Sequence, residues 1–417
     1  MAIIGTSPTP ERDRRGATRT VFVAVALGST SLYAAFTAAP LIATEMTGSR
    51  ATSGLPGAMA ILGTALGSAL LSSRMARHGR RSGLRFGYAI GLAGTAAAFL
   101  ATDLAAGFVL LVTAMLLVGV GNAANQLSRF AAADMHPPEG RPSVLGWVVW
   151  AGTVGAVLGP TLLRVGKPVA DGLGRTELSG AMLFAVLFYL AALTTVWTMR
   201  SDPTDLALED TSSVAIEAPG SRLASIWRLA HVRLALIVMV AGQAAMVLIM
   251  TMTPVHVRDH GHGLGVVGGI MTAHFVGMFA LAPLVGKIVA KRGAISAIVG
   301  GLVLLIAGAL GTGLVPASNA ALLAMSLFLV GLGWCFGFVS ASFLLTRGLA
   351  YSERVRTQGA VETVTWLAAA VASLGSGFLL AGFGFAVLCL VAAGGVFWIV
   401  VLVAARREAV AGLAAET

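Results

Sequence analysis

Long apolar segments dominate this sequence and decide the class of fold that it can adopt. Of the 417 residues, 57% are hydrophobic and only 11% are charged, which is more apolar surface than a soluble domain can bury. A helix needs about 20 apolar residues to cross a bilayer, and charge, glycine and proline divide the chain into segments of that length. We therefore predict an all-α membrane protein with twelve transmembrane helices, numbered as spans 1 to 12: residues 20–45, 54–76, 83–101, 106–132, 143–166, 177–199, 229–254, 264–290, 295–316, 320–347, 355–380 and 383–405.

The basic residues alternate between the two sides of the predicted membrane. The net charge is +10, but all except five of the 28 Lys and Arg residues fall in every second connection, beginning with the N-terminal tail; the exceptions are Arg50, Arg164, Lys167, Arg175 and Arg258. Because cytoplasmic loops carry the excess of Lys and Arg, we predict cytoplasmic N- and C-termini in the inner membrane. The charge is a topology signal, so we expect no nucleic-acid partner, and a monomer in the lipid bilayer.

The two cysteines and the absence of catalytic motifs narrow the function further. Cys335 and Cys389 both lie inside apolar segments, which excludes a disulfide framework. We interpret them as small buried residues, with a thiolate ligand as the alternative for Cys335. The sequence contains no nucleophile elbow, phosphate-binding loop, paired carboxylates or Cys/His zinc cluster, so we predict neither an enzyme nor a bound cofactor.

The two halves of the chain repeat each other. The segment after Gly54 aligns without gaps with the segment after Gly268, and the matched glycines are Gly54 with Gly268, Gly63 with Gly277, and Gly79 with Gly293. Duplication of a six-helix unit predicts two six-helix bundles with a substrate site between them near the middle of the membrane. The predicted bundles are residues 1–199 and 229–417, joined by a polar cytoplasmic linker at 200–228.

Spans 7 and 8 carry the most distinctive side chains. Met246 and Met250 are four residues apart on span 7, and His274 and Met278 are four apart on span 8, so each pair shares a helix face. At about 1.5 Å per residue, the four form a ladder from roughly 6 Å to roughly 21 Å below the outer surface. Thioether sulfur and imidazole nitrogen suit Cu(I), whereas Mg²⁺, Ca²⁺ or Mn²⁺ would call for oxygen. Core packing is the alternative role for the methionines, but an ionisable residue inside a span favours function.

Other polar residues are candidates for the entrance, the cavity wall and the coupling of transport to protons. Glu362 lies about 10 Å inside span 11, where a carboxylate is a candidate proton carrier; a structural pair with Arg356 is the alternative. The turn after span 7 carries a candidate metal entrance, formed by His256, His260 and His262. Span 4 carries three polar side chains, Asn122, Asn125 and Gln126. The three amides either line a polar cavity or join helices through hydrogen bonds.

Two motifs resemble the major facilitator superfamily, and the resemblance covers essentially the whole chain. The turns after spans 2 and 8 resemble the superfamily's Gly-x-x-x-Asp-Arg-x-Gly-Arg-Arg signature at Arg77, Gly79, Arg80, Arg81, Gly286, Lys291 and Gly293. Ala76 and Ala290 occupy its acidic position, so we expect the implied charge latch between the bundles to be weakened, with topology as the alternative role of these basic residues. Span 5 resembles the antiporter motif at Gly146, Gly155, Gly159 and Pro160, which indicates a flexing, closely packed helix.

Within the superfamily, the joint Met-x3-Met and His-x3-Met pattern resembles the CcoA-like transporter (CalT) family, whose best-known members import copper. The resemblance implies that copper is the transported substrate and that it is bound by Met246, Met250, His274 and Met278. It also implies that the imported copper is used in cytochrome oxidase assembly. The family also has a riboflavin-transporting branch, so vitamin-like uptake or drug efflux by proton antiport is the alternative. Against efflux, the positions around Met115 and Leu117 lack the membrane Arg of proton-coupled drug exporters.

Overall fold

The computed structural model describes residues 10–48, 52, 54–102, 107–176, 178–199, 201–205, 226–262, 264–316 and 318–405. These residues form helices and short connections, with no β-strand among them. The helices are Pro10–Thr47, Leu55–Ala101, Gly107–Asp134, Arg141–Gly172, Ser179–Trp197, Ala230–Asp259, Leu264–Phe279, Ala282–Arg292, Ala294–Leu314, Ala320–Leu344 and Tyr351–Ala405. In hydrocarbon every backbone polar group needs a partner within the protein, which a helix provides from its own chain.

Two helices are too long for a single crossing of the bilayer. Leu55–Ala101 has 47 residues and Tyr351–Ala405 has 55, so at ~1.5 Å per residue each exceeds twice a hydrocarbon core of ~30 Å. Each contains one glycine with positive φ, Gly79 at 83° and Gly384 at 81°, a conformation that glycine adopts without steric cost. The chain reverses at these glycines, so the two helices hold spans 2 and 3, and spans 11 and 12.

With these two divisions, the described helices account for all twelve predicted spans, and the predicted all-α fold is confirmed. Within the described part of the chain, ten helical stretches are long and apolar enough to cross a membrane, and two of them are the double spans. Span 8 consists of Leu264–Phe279 and Ala282–Arg292, with a turn at residues 280–281. The predicted loop at 77–82 is helical except at Gly79, because one glycine suffices to reverse the chain.

The two halves are built alike at their matched glycines. Gly79 has φ 83° and ψ 162°, and Gly293 has φ 79° and ψ 158°. A Cβ on Gly63 would overlap the carbonyl oxygen of Leu116 in span 4, and a Cβ on Gly277 would overlap that of Phe328 in span 10. Span 2 therefore packs on span 4 as span 8 packs on span 10.

Glycines also bring the two bundles together between spans 5 and 8. A Cβ on Gly146 would overlap the carbonyl oxygen of Ala282, and a Cβ on Gly286 would overlap that of Pro142. The backbones of the two spans are thus in direct contact.

Span 5 is equally close to span 1 on its other side. A Cβ on Gly155 would lie 2.5 Å from the backbone of Ser29, and one on Gly159 would lie 2.5 Å from Tyr33. Pro160 has helical backbone within Arg141–Gly172, while its side chain falls outside the described atoms.

A second seam joins spans 2 and 11, where a Cβ on Gly359 would overlap the side chain of Ser72. Both seams lie at the end of the molecule that carries the turns at Gly79 and Gly293, which we call the basic end. The bundles are closed against each other there. The predicted linker at 200–228 lies outside the described residues except for its two ends.

We expect Gly146→Leu to destabilise the protein by about 1–3 kcal/mol, because the added side chain has no space between spans 5 and 8. Gly300→Leu is the matched control, since a Cβ at Gly300 meets no atom within 4 Å. Thermal unfolding of both purified variants in detergent measures the difference. Equal unfolding temperatures would contradict the tight seam.

Candidate functional site

A buried ion pair connects the two bundles. Arg129 of span 4 donates a hydrogen bond from Nη2 to Oε1 of Glu362 in span 11, and both side chains are almost fully excluded from solvent. Nε of Arg129 donates to Oγ of Ser342 at 3.0 Å, and Nε1 of Trp366 donates to Oε2 of Glu362 at 3.2 Å. The partner of Glu362 is therefore Arg129, and not the Arg356 considered from the sequence. Burying two charges costs several kcal/mol that pairing must offset, so this pair marks a candidate functional centre.

Aromatic side chains surround this guanidinium. The ring of Phe338 in span 10 lies 3.9 Å from Cζ of Arg129, a cation–π contact. Trp334 stacks on Phe338 at 4.4 Å between centroids and donates from Nε1 to Oε1 of Gln243 in span 7 at 2.8 Å. Phe279 of span 8 meets the edge of Trp334 at 5.9 Å. Spans 4, 7, 8, 10 and 11 therefore converge on one aromatic cluster beside the ion pair.

Tyr33 brings span 1 of the first bundle against span 8 of the second. Its ring centroid lies 5.9 Å from that of Phe275 and 6.4 Å from that of Phe279. The aromatic cluster is thus continuous across the interface. None of these aromatic residues was identified as functional from the sequence, because a lone aromatic residue in a span is usually a packing residue.

The three amides of span 4 have different roles. Nδ2 of Asn122 donates to Oγ1 of Thr64 at 3.2 Å, and the hydroxyl of Tyr88 donates to Oδ1 of Asn125 at 2.7 Å. These two buried amides join helices inside the first bundle, which is the second of the two roles expected for them. Gln126 instead lies beside the ion pair, because Nη1 of Arg129 donates to its side-chain Oε1 at 3.2 Å and to its backbone carbonyl oxygen at 2.6 Å.

His274 is fully buried between spans 8 and 10. Its Nδ1 lies 3.0 Å from the carbonyl oxygen of Leu327, and its Nε2 has no hydrogen-bond partner among the described residues. A carbonyl only accepts, so Nδ1 carries the proton and Nε2 of the neutral ring presents a lone pair. Met278, one turn further along, is also buried and packs against Gly331 of span 10.

Met246 and Met250 of span 7 belong to the large hydrophobic cluster of the protein, with Met246 buried in it and Met250 packed at its edge. Val257 follows on the same helix, beyond Pro254. Val257 packs in one cluster with Ile270 of span 8 and with Leu323 and Leu327 of span 10. Ile270 is one turn before His274 on span 8. The end of span 7 at Val257 and the His274 face of span 8 thus both meet span 10 around Leu327, while convergence of the two methionines on His274 stays a prediction.

Met246 and Met250 differ in exposure. Met246 is buried with 3% of its surface accessible, whereas Met250 is half-buried. Met246 lies one turn deeper than Met250 on the same face. Met246 is thus the more buried of the two, and the ladder of four side chains stays a prediction.

Two of the three histidines near the turn after span 7 lie side by side. The rings of His256 and His260 are 4.5 Å apart between centroids, and His256 stacks on Phe385 of span 12 at 4.0 Å. The backbone of His262 bonds to Val257. Among the residues that the structure describes, no group of three or more His, Cys, Asp or Glu side chains is arranged to hold a metal ion.

The basic end carries a charge latch whose acid comes from an unexpected position. Arg80 of the Gly79 turn donates from Nη2 to Oδ2 of Asp134 at 2.6 Å and to Oε1 of Gln358 at 2.6 Å. Arg354 of span 11 forms an ion pair with Asp134 at 2.9 Å. The latch expected to be weakened by Ala76 is therefore present, because Asp134 at the end of span 4 replaces the missing acid.

The other basic residues of the signature have separate surroundings. Arg81 lies 3.9 Å from the carboxylate of Asp202, which ties the start of the linker to the first bundle. Arg77 is exposed, and Lys291 is exposed in the last turn of span 8. Arg80 reaches across to the second bundle through its hydrogen bond to Gln358 of span 11.

Comparison with known proteins agrees with this architecture. The sequence profile of the Major Facilitator Superfamily matches residues 21–373. An uncharacterized MFS-type transporter of Bacillus subtilis (strain 168), YdeG, is 34% identical over 393 residues, 92% of this chain and 90% of its own length. The riboflavin transporter RfnT of Brucella anthropi is 28% identical over 304 residues, 69% of this chain and 70% of its own.

A solved structure extends the agreement to the fold. The proton:xylose symporter XylE superimposes with a TM-score of 0.71 at 15% identity, over 94% of this chain and 96% of XylE. At this identity the match shows that the two proteins share a fold. The chain belongs to the major facilitator superfamily and is a multi-pass membrane transporter.

Proposed function

We propose that this transporter imports copper across the cytoplasmic membrane by alternating access, with Met246, Met250, His274 and Met278 along the path. The observation that carries the proposal is the buried Nε2 of His274, which has no hydrogen-bond partner in the described structure. An unsatisfied buried polar atom costs about 1–3 kcal/mol, and a bound cation would offset that cost. A backbone carbonyl that holds the other ring nitrogen is the usual arrangement for a histidine that binds metal.

The donor chemistry fits transport better than storage. Thioether sulfur and neutral imidazole bind Cu(I) without releasing a proton, so successive weak sites can exchange the ion. The half-buried Met250 would receive it before the buried Met246 and His274. The outer pair His256 and His260 supplies a candidate entrance. Delivery to cytochrome oxidase assembly is part of the proposal that only the family resemblance supports.

Glu362 is the proposed site of proton coupling. Its ion pair with Arg129 joins span 11 to span 4, so it contributes to closure of the two bundles. Protonation of the carboxylate would remove the opposite charge from Arg129 and weaken this connection. The predicted topology makes the basic end cytoplasmic, and release there would open the path to the cytoplasm.

An organic solute is the second candidate substrate, favoured by the aromatic cluster. Trp334, Phe338, Phe279 and Tyr33 offer ring faces and edges next to a guanidinium, which suits a planar, polar molecule. The similarity to a riboflavin transporter supports the same candidate. The two substrates use different residues, so variants separate them.

We expect His274→Ala and Met246→Ala to reduce Cu(I) uptake into proteoliposomes at least tenfold, because each removes a ligand from the path. Met325→Ala is the matched control, since Met325 is 58% exposed on span 10 and should retain uptake within twofold. Riboflavin uptake is measured in parallel. Copper uptake unchanged in both ligand variants would remove the ladder from the mechanism, and riboflavin uptake lost in Trp334→Ala would favour the second candidate.

Glu362→Gln should make uptake insensitive to an imposed pH gradient, because the amide cannot exchange a proton. Glu353→Gln is the control on the same helix, and it should keep the response of the wild type. A buried Arg129 without its partner is destabilising by about 3–5 kcal/mol, so the double variant Arg129→Gln, Glu362→Gln checks protein abundance. A full response to the gradient in Glu362→Gln would refute its role as proton carrier.

A further inference from the structure

A cavity of about 430 Å³ lies between spans 2 and 11 at the basic end. Arg77 and Ser73 line it from span 2, Arg356 and Thr357 line it from span 11, and Trp227 lines it from the end of the linker. The cavity is therefore formed by both bundles and lies beside the seam where Gly359 packs on Ser72. The proposed transport function does not use it.

The charge in this cavity is unbalanced. Arg77 and Arg356 both line it, and no Asp or Glu does so among the described residues. Neither guanidinium makes a hydrogen bond or ion pair within the described part of the chain, in contrast to Arg80, Arg129 and Arg354. Two cations at a shared cavity repel each other, and an anion bound between them would be attracted to both.

The position of the cavity relates it to the membrane surface. It lies at the level of the basic turn after span 2, where the predicted topology places the cytoplasmic lipid phosphates. Trp227 is a residue type enriched at that interface. A guanidinium binds phosphate oxygens with two parallel hydrogen bonds, so arginine suits this anion well.

An apolar surface continues from the cavity along both helices. On span 2, Leu66 and Leu70 are 52% and 49% exposed, one to two turns before Ser73 on the same helix face. On span 11, Val364 and Leu367 are each 42% exposed, two to three turns after Arg356 on the same face. The acyl chains of a lipid can pack on such a surface, whereas a free anion cannot.

We propose that an anionic phospholipid binds in this cavity, with its phosphate between Arg77 and Arg356 and its acyl chains along spans 2 and 11. Because the two arginines belong to different bundles, the phosphate joins the bundles at the basic end. Separation of the bundles would remove one arginine from the phosphate. The lipid therefore favours the conformation that is closed at the basic end.

The double variant Arg77→Gln, Arg356→Gln tests binding, with Lys287→Gln, Arg292→Gln as the control that removes the same charge from exposed positions on span 8. Native mass spectrometry of the purified full chain measures binding of phosphatidylglycerol, of phosphatidylcholine and of inorganic phosphate. We expect phosphatidylglycerol to bind about tenfold more weakly to the cavity variant and within twofold of wild type to the control. Equal binding to both variants would overturn the site, and displacement of the lipid by millimolar phosphate would overturn a lipid as its occupant.

Spin labels on cysteines at the exposed positions His78 and Ala350 test the effect on conformation. The two positions lie on different bundles at the basic end, and the native Cys335 and Cys389 are buried. In proteoliposomes, replacing phosphatidylcholine with phosphatidylglycerol should shift the wild-type distances towards the short population, and should leave the cavity variant unchanged. An equal shift in both proteins would overturn the proposal without bearing on the transported substrate.

Discussion

Paired charges shielded from water hold the two bundles against each other. Arg129 and Glu362 pair in the interior, and Arg80, Asp134 and Arg354 pair at the basic end. In a low-dielectric surrounding an unpaired charge is costly, so Arg129, Glu362 and Arg354 each depend on a partner from the other bundle. The pairs Arg129–Glu362 and Arg354–Asp134 are broken if the bundles separate at this end, whereas Arg80 and Asp134 belong to the same bundle. The closed arrangement of the bundles therefore depends on the pairing of these buried charges.

Glycine makes these charge contacts geometrically possible. Gly146 and Gly286 let the backbones of spans 5 and 8 touch, and Gly359 lets span 11 approach Ser72 of span 2. Helix packing inside a membrane has little hydrophobic driving force, so close backbone contact supplies the attraction.

The interface also concentrates the candidate chemistry of the molecule. The ion pair and the aromatic cluster lie on spans 1, 4, 7, 8, 10 and 11, and the lone nitrogen of His274 lies between spans 8 and 10. The Met and His residues were found from the sequence because four-residue spacing and an ionisable residue in a span are visible in one dimension. Arg129 was visible as a charge near the end of span 4, but its partner lies more than two hundred residues away. Trp334, Phe338 and Tyr33 carried no such signal, since packing and binding use the same aromatic residues.

The sequence by itself determined the twelve spans, the internal duplication and the glycines at the turns, because hydrophobic length, periodicity and a requirement for positive φ are local properties of the chain. The alignment of the two halves of the sequence matched Gly79 with Gly293, and both residues have a positive φ in the structure. Only the tertiary structure decided which residues pair across the interface. Ala76 indicated a weakened latch, yet Asp134 restores it from another helix, because a charge needs a partner within a few ångströms in space, wherever that partner lies in the chain.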